Sequence, residues 1–378
     1  MKKIALNAIA LNEYSGGLGI YLQQLVGFFL KEETGLDLKI FLNKREAEKV
    51  LQDSIDNDLL VDLDISSRNA IVRICKEIIV WPGLLKTGHY DLFHSPMSYF
   101  PFMIPIPAIL TVHDLRSFYL KASYNAARRK FLNQRIRESV KRANHIIAVS
   151  QFTKNGLMEL FDIPGERISV IYEGIDSDRF RIPVSQNAWR LIQERYRLPE
   201  NYILSVGHLE PRKNYLALLK AYLRLKEKIK RLPDLVIVGQ ENWDYEPIYS
   251  YVSDHGLQDQ IHFTHFVDAK DLPAIYQKSL FFITTSLYEG FGFTPLEAMA
   301  AGTPVAYSNA TSLPEIVGEA GLRFAPADPE NIAEQMEQLI EDQLLREALI
   351  LKGKDNLQRF NWDLCCRQTL DIYHQELP

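Results

Sequence analysis

Glu289 and Glu297 stand eight positions apart, on either side of Gly290, Phe291, Gly292, Phe293, Thr294, Pro295 and Leu296. An ionised carboxylate can accept two hydrogen bonds at once, which suits the paired hydroxyls of a sugar. Gly290 and Gly292 let main-chain N–H groups approach a ligand closely, and such donors suit phosphate oxygens or hydroxyls. A ligand carrying both vicinal hydroxyls and phosphates is a nucleotide sugar. The same stretch also reads as a helix start, with Thr294 as N-cap, Pro295 in the first position, Glu297 completing a capping box and Gly302 as the stop. Glu297 therefore has a structural use as well as a chemical one. Glu289, in the loop itself, has only the chemical one.

A second constellation runs from His208 to Asn214, HLEPRKN, between the strand-like YILSVG and an amphipathic helix with Leu216, Leu219, Tyr222 and Leu223 on one face. Arg212 and Lys213 thus sit where a helix start already favours anions; otherwise they are two solvated cations. Near the N-terminus, SGGLG places Gly16 and Gly17 between a strand and a helix. Leu22 stands where a dinucleotide fingerprint needs its third glycine, so that motif fails and a tight turn remains. His113 and Asp114 end the strand-like PAILTVHD, and a histidine there serves either structure or chemistry. The triplets DLD (62–64) and DSD (176–178) have DxD metal-ligand spacing. Three-residue matches are common by chance, so no metal is expected.

Short apolar strands alternate with helices almost throughout, which argues for parallel sheets with crossover helices. One series runs from KIALNAIAL to ISVIYEG and a second from YILSVG to PVAYS, joined by an irregular stretch carrying Pro183 and Pro199. The expected fold class is α/β with two doubly wound, Rossmann-like domains facing across a cleft. In such sheets ligands bind beyond the carboxyl ends of the strands. The 378 residues are 47% apolar and 24% charged with a net charge of −5, which fits soluble domains and gives no general preference for nucleic acid. Three cysteines, Cys75, Cys365 and Cys366, suggest neither a disulfide framework nor a zinc site. The N-terminus reads as a strand rather than a signal peptide, and the apolar run FMIPIPAILTV is broken by Pro105 and Pro107, so a cytoplasmic protein is expected. Between Arg116 and Arg142 lie nine Lys or Arg and one acid, Glu138. That stretch is either a solvated helix face or a patch that meets an anionic membrane or acceptor.

EGFGFTPLE resembles the E-x7-E signature of the retaining glycosyltransferases of family 4, the group 1 enzymes with the two-domain GT-B fold. SVGHLEPRKN, AVSQFTKNGL, VIYEGIDSDRF and EAMAAGTPVAYSNATSLPEIVGEAGL are similar to that family's landmarks and stand in its order, so the resemblance spans essentially the whole chain. It implies an N-terminal acceptor domain (1–182), a nucleotide-sugar domain (183–358) and a C-terminal helix (359–378) crossing back to the first domain.

The resemblance also implies roles. Glu289 would contact hydroxyls of the donor sugar and Glu297 those of the ribose, with the backbone of Phe291, Gly292 and Phe293 at the sugar and diphosphate. Arg212 and Lys213 would clamp the diphosphate, Gly16 and Gly17 would close over the phosphates, and His113 would lie beside the sugar. The family often has Arg where this chain has His208, which leaves the anion duty to Arg212 and Lys213. The implied reaction transfers a hexose to a saccharide or lipid-linked saccharide of a surface polysaccharide with retention of configuration. It needs no cofactor or metal, since DxD metal sites belong to a different glycosyltransferase fold. Front-face attack and a covalent intermediate on Glu289 both remain open. UDP-glucose is the first expectation for the donor and GDP-mannose the second, with peripheral contact at the inner membrane face through 116–142. The rival readings are a non-hydrolysing nucleotide-sugar epimerase, a glycoside hydrolase and a non-catalytic nucleotide-sugar sensor.

Overall fold

The computed structural model describes residues 1–12, 16–65, 70–101, 104–120 and 125–377, and the side chains of residues 53 and 70–74 lie outside the description. Ser15 of SGGLG and Lys121 of the basic stretch therefore lie outside the described residues. The chain divides into two compact units, Met1–Gly174 with Asn361–Pro378, and Ile175–Phe360. The sequence had placed these divisions at 182/183 and 358/359.

The first unit is built on seven strands: β1 (Lys3–Asn7), β2 (Asp37–Leu42), β3 (Leu60–Asp62), β4 (Leu92–Ser95), β5 (Ala108–Val112), β6 (His145–Ala148) and β7 (Ile168–Val170). All are parallel, in the order β3-β2-β1-β4-β5-β6-β7. Side chains alternate across a strand, so Ile4 and Leu6 join the core beneath helix Gly16–Phe29, while Ala5 joins the opposite core with Trp81, Phe93 and Leu110. Both faces are covered, which is why β4, β5 and β6 are buried along their whole length. The last helix, Trp362–Glu376, belongs to this unit and contributes Cys365, Cys366, Ile372 and Tyr373 to the first of the two cores.

The second unit has six strands: β8 (Tyr202–Val206), β9 (Asp234–Val238), β10 (Ile261–His265), β11 (Phe281–Thr284), β12 (Val305–Ser308) and β13 (Gly321–Phe324). They are again parallel, in the order β10-β9-β8-β11-β12-β13. The apolar face of helix Tyr215–Lys228 (Leu218, Leu219, Tyr222, Leu225) fills the core against Ile203, Leu235 and Ile237.

In each sheet the strand order reverses once, between β1 and β4 and between β8 and β11. Loops leaving two neighbouring strands on opposite faces open a crevice at such a point. HLEPRKN follows β8 and LYEGFG follows β11, and in the first unit Gly16 follows β1 and Pro96 follows β4.

Candidate active site

The two loops at the β8/β11 reversal are bonded to each other. The Leu287 N–H donates to the Arg212 carbonyl at 2.8 Å, and the Thr285 hydroxyl donates to the Lys213 carbonyl at 2.8 Å. A third loop, after β12, holds the glutamate: the Glu289 N–H donates to Thr311 Oγ1 at 2.9 Å, and Ser312 Oγ donates to the Glu289 carbonyl at 3.0 Å. Position 289 is thus fixed through its backbone before its side chain makes any contact.

The side chains then form a closed set of charges. Arg212 Nη1 lies 2.8 Å from Glu289 Oε2, and Lys213 Nζ lies 2.8 Å from Glu289 Oε1. On its other side Arg212 meets Glu210 Oε1 through Nε and Nη2, both at 2.7 Å, and Asn242 Nδ2 donates to Glu210 Oε2 at 2.9 Å. Two cations and two carboxylates therefore balance. Glu210 and Lys213 are buried and Arg212 is nearly so, which excludes the reading of Arg212 and Lys213 as ordinary solvated cations. Burial alone would raise the Glu289 carboxyl, but Arg212 and Lys213 outweigh it and hold it near 2. Burial likewise acts to lower the Arg212 guanidinium, and the carboxylates of Glu289 and Glu210 hold it above its usual range instead.

The glycines around this set are dictated by space. Gly207 has φ +153°, and a Cβ there would lie 2.6 Å from Lys213 Cε, so the lysine stem crosses where a side chain would be. A Cβ on Gly239 would come within 2.0 Å of the Gly207 carbonyl oxygen. His208, next in line, is exposed.

Helix Phe293–Ala300 corrects one expectation from the sequence. It begins two residues early, on an N-cap Gly292 at φ +121° with no side-chain cap bond, so Thr294, Pro295 and Glu297 do not form a capping box. Gly302 does end it: at φ +75° it lets the Thr303 N–H reach the Ala298 carbonyl (2.9 Å) and its own N–H reach that of Met299 (3.0 Å). Released from capping, Glu297 accepts a hydrogen bond on Oε2 from the buried Tyr276 hydroxyl at 2.9 Å. Its Oε1 has no protein partner among the described residues. Burial raises the Glu297 carboxyl above the ordinary glutamate value, and the Tyr276 bond only partly offsets this. Phe291 is buried edge-on against Phe293 and Phe360, with centroids 5.3 and 5.8 Å away. Gly292 leaves no room for a Cβ, which would meet Leu313 at 2.9 Å.

Arg212, Lys213, Glu289, Phe291, Gly292, Phe293 and Glu297 all belong to the second unit, and Gly16, Gly17 and His113 to the first. Gly16 and Gly17 open helix Gly16–Phe29, Gly16 at φ +55°. Tyr21, one turn further on, sets its ring edge-on to His113 at 4.9 Å. Both His113 ring nitrogens face oxygen atoms: Nδ1 lies 3.0 Å from Glu173 Oε1 and Nε2 lies 2.9 Å from the Pro96 carbonyl.

Two residues in these contacts had no assigned role in the sequence, Glu210 and Glu173. Glu210 sits inside HLEPRKN and could have been flagged as a buried counter-ion for two adjacent cations. Glu173 lies in the landmark VIYEGIDSDRF, to which the sequence assigns no chemistry. Among the described residues no group of three or more His, Cys, Asp or Glu is placed to hold a metal ion. A groove of about 640 Å³ beside helix Gly16–Phe29, lined by Gln23, Gln24, Lys31 and Asn57, contains none of these residues.

Two doubly wound parallel sheets with loops at their reversal points define the GT-B class of glycosyltransferase folds. The solved structure of sucrose-phosphate synthase from Thermosynechococcus elongatus has this fold, superposing with a TM-score of 0.77 over 99% of both chains at 20% identity. Two family models match in sequence, "Glycosyltransferase Family 4" over residues 15–179 and "Glycosyl transferases group 1" over residues 191–356. The chain is 32% identical over 283 residues to O-antigen chain mannosyltransferase B of Escherichia coli, covering 75% of this chain and 74% of that one. It is also 32% identical over 306 residues to the serotype-specific mannosyltransferase WbdA of Escherichia coli, covering 80% of this chain but only 37% of that longer protein. The chain belongs to the group 1, family 4 glycosyltransferases, and it is an enzyme of that kind.

Proposed function

We propose that this glycosyltransferase moves a hexose from a nucleoside diphosphate to a hydroxyl of a saccharide or lipid-linked saccharide in the assembly of a surface polysaccharide, with retention and without a metal. The observation that carries this reading is the charge-balanced set of Arg212, Lys213, Glu210 and Glu289 at the strand-order reversal. As the nucleotide departs, negative charge grows on its β-phosphate, and cations already fixed in place stabilise that state without reorganising. Arg212 and Lys213 supply the cations, supported by amides at the start of helix Phe293–Ala300. Glu289 takes the sugar hydroxyls. Glu297, through its unpartnered oxygen, takes a ribose hydroxyl. In the first unit, Gly16 and Gly17 offer amides suited to phosphate and His113 suits the sugar.

Relatives named as mannosyltransferases move GDP-mannose ahead of UDP-glucose as the donor. The enzyme works at the inner face of the membrane, where the basic helix Ala126–Arg142 meets anionic lipid. The test is a panel of nucleotide sugars with a mannose-terminated acceptor, with products resolved by NMR. An α-linked mannoside formed from GDP-mannose, unaffected by EDTA, is expected. A β-linked product, or transfer that depends on added divalent metal, would overturn retention or metal independence respectively.

A further inference from the structure

Glu173 is 2% exposed, and its carboxylate lies 3.0 Å from His113 Nδ1 across sixty residues of chain. Burying a carboxylate is costly unless it is paired and hydrogen-bonded, so the contact is the reason the group can be there at all. The backbone beside it cannot drift. A Cβ on the next residue, Gly174, would lie 2.3 Å from the Trp362 backbone nitrogen and 2.6 Å from its ring, so the C-terminal segment is pressed directly against this turn.

The ring of His113 is held from two further directions. Its Nε2 meets the Pro96 carbonyl at 2.9 Å and Tyr21 stands edge-on at 4.9 Å, while the His113 backbone N–H donates to Ser98 Oγ at 3.2 Å. Tyr21 is fixed in turn by a buried polar chain. Its hydroxyl lies 3.4 Å from Thr111 Oγ1, which lies 2.8 Å from His94 Nε2, and His94 Nδ1 lies 2.6 Å from the Tyr373 hydroxyl on the last helix. Two imidazoles thus sit in contrasting surroundings. His94 is fully buried among hydroxyls, and only His113 has a carboxylate on its ring.

We propose that Glu173 is a positioning residue for transfer, fixing the His113 ring in the orientation in which it meets the donor sugar. The proposal rests on the reading that His113 acts at the donor. Glu173 itself touches neither substrate nor reacting atoms. If its purpose were only to hold the turn at Gly174, its effect would not depend on which side chain occupies position 113.

That difference is the test. The kcat and donor KM are measured for the wild type, Glu173→Ala, Glu173→Gln, His113→Ala and the His113→Ala/Glu173→Ala double variant, with melting curves confirming that each is folded. Misplacing a reacting group by an ångström can cost about 100-fold, so Glu173→Ala is expected to lower kcat by roughly 10- to 100-fold with donor KM little changed. Glu173→Gln, which can still accept from the ring, should recover part of that loss. In the His113→Ala background the second substitution should cost less than about twofold, because residues acting through one another are not additive. An equal loss in both backgrounds would overturn the proposal and assign Glu173 to the turn. A near-normal kcat for Glu173→Ala, with His113→Ala impaired, would overturn it while sparing the role of His113. A near-normal His113→Ala would remove the underlying reading itself. Should Glu173→Ala fail to fold, the same cycle is run with Glu173→Gln.

Discussion

Glu289 answers to two demands that pull apart. It neutralises Arg212 and Lys213, each at 2.8 Å, and the proposed chemistry asks those cations to meet a diphosphate and the carboxylate to meet a sugar. Glu289→Gln should separate the two demands. Turnover is expected to fall at least about 100-fold, the scale of one lost preorganised contact. Nucleoside diphosphate should meanwhile bind more tightly by calorimetry, since both cations lose a competing anion. Weaker binding together with normal turnover would remove Glu289 from the site. Glu297 predicts a pH effect of definite sign. Its carboxyl is raised by burial, so it takes up a proton at a higher pH than a free glutamate, and protonation turns one oxygen into a donor and removes the charge that strengthens its bonds to hydroxyls. Nucleotide affinity should weaken as pH falls through that raised value, and the acid-side loss should disappear in Glu297→Gln. Glu289, held near 2, stays ionised throughout such a titration. The two acids and two cations were legible because each lies in a short run whose residue types name a ligand. Glu173 was not, because its role depends on His113, sixty residues away, which no local pattern connects to it, whereas Glu210 pairs with Arg212 two residues on and only its Asn242 contact is distant.

Helices and strands were legible where their apolar period was long, and failed where tertiary contacts decide. The helix after EGFG starts at Phe293 rather than after Thr294, because Gly292 can take φ +121° and begin the turn early. The strands β3, three residues long, and β13, four residues with an exposed Arg323, carry too little pattern to be read, and both lie at sheet edges. Helix Ala126–Arg142 bears its own prediction. It buries Arg135, Ile136, Ser139 and Val140 and exposes Arg128, Lys130, Phe131, Arg137, Lys141 and Arg142. Basic residues near an anionic surface contribute about 1 kcal/mol each, falling off within a Debye length. The protein should co-sediment with vesicles containing anionic lipid at low salt and be released at high salt, and Lys130→Glu/Arg137→Glu should abolish the effect. Equal binding to neutral vesicles would contradict a charge-led contact.

At the scale of the whole molecule, the alternation of strands and helices was enough to foretell two doubly wound sheets, because covered parallel strands must be apolar throughout and must be joined by crossovers. The points where the chain passes between units were less visible. Gly174 stands in the landmark VIYEGIDSDRF, but the reason for a glycine there appears only once Trp362 is seen against it. Among the described residues no helix is long and apolar enough to cross a membrane. The central claim is that Arg212 and Lys213 grip the donor's diphosphate without a metal. Calorimetric titration of nucleotide sugars into the wild type and Lys213→Ala, each with and without EDTA, addresses it directly. One donor is expected to bind the wild type equally well in both conditions and at least about tenfold more weakly to Lys213→Ala, on the scale of a charge-assisted contact. Binding abolished by the chelator, or unchanged by the loss of Lys213, would contradict it.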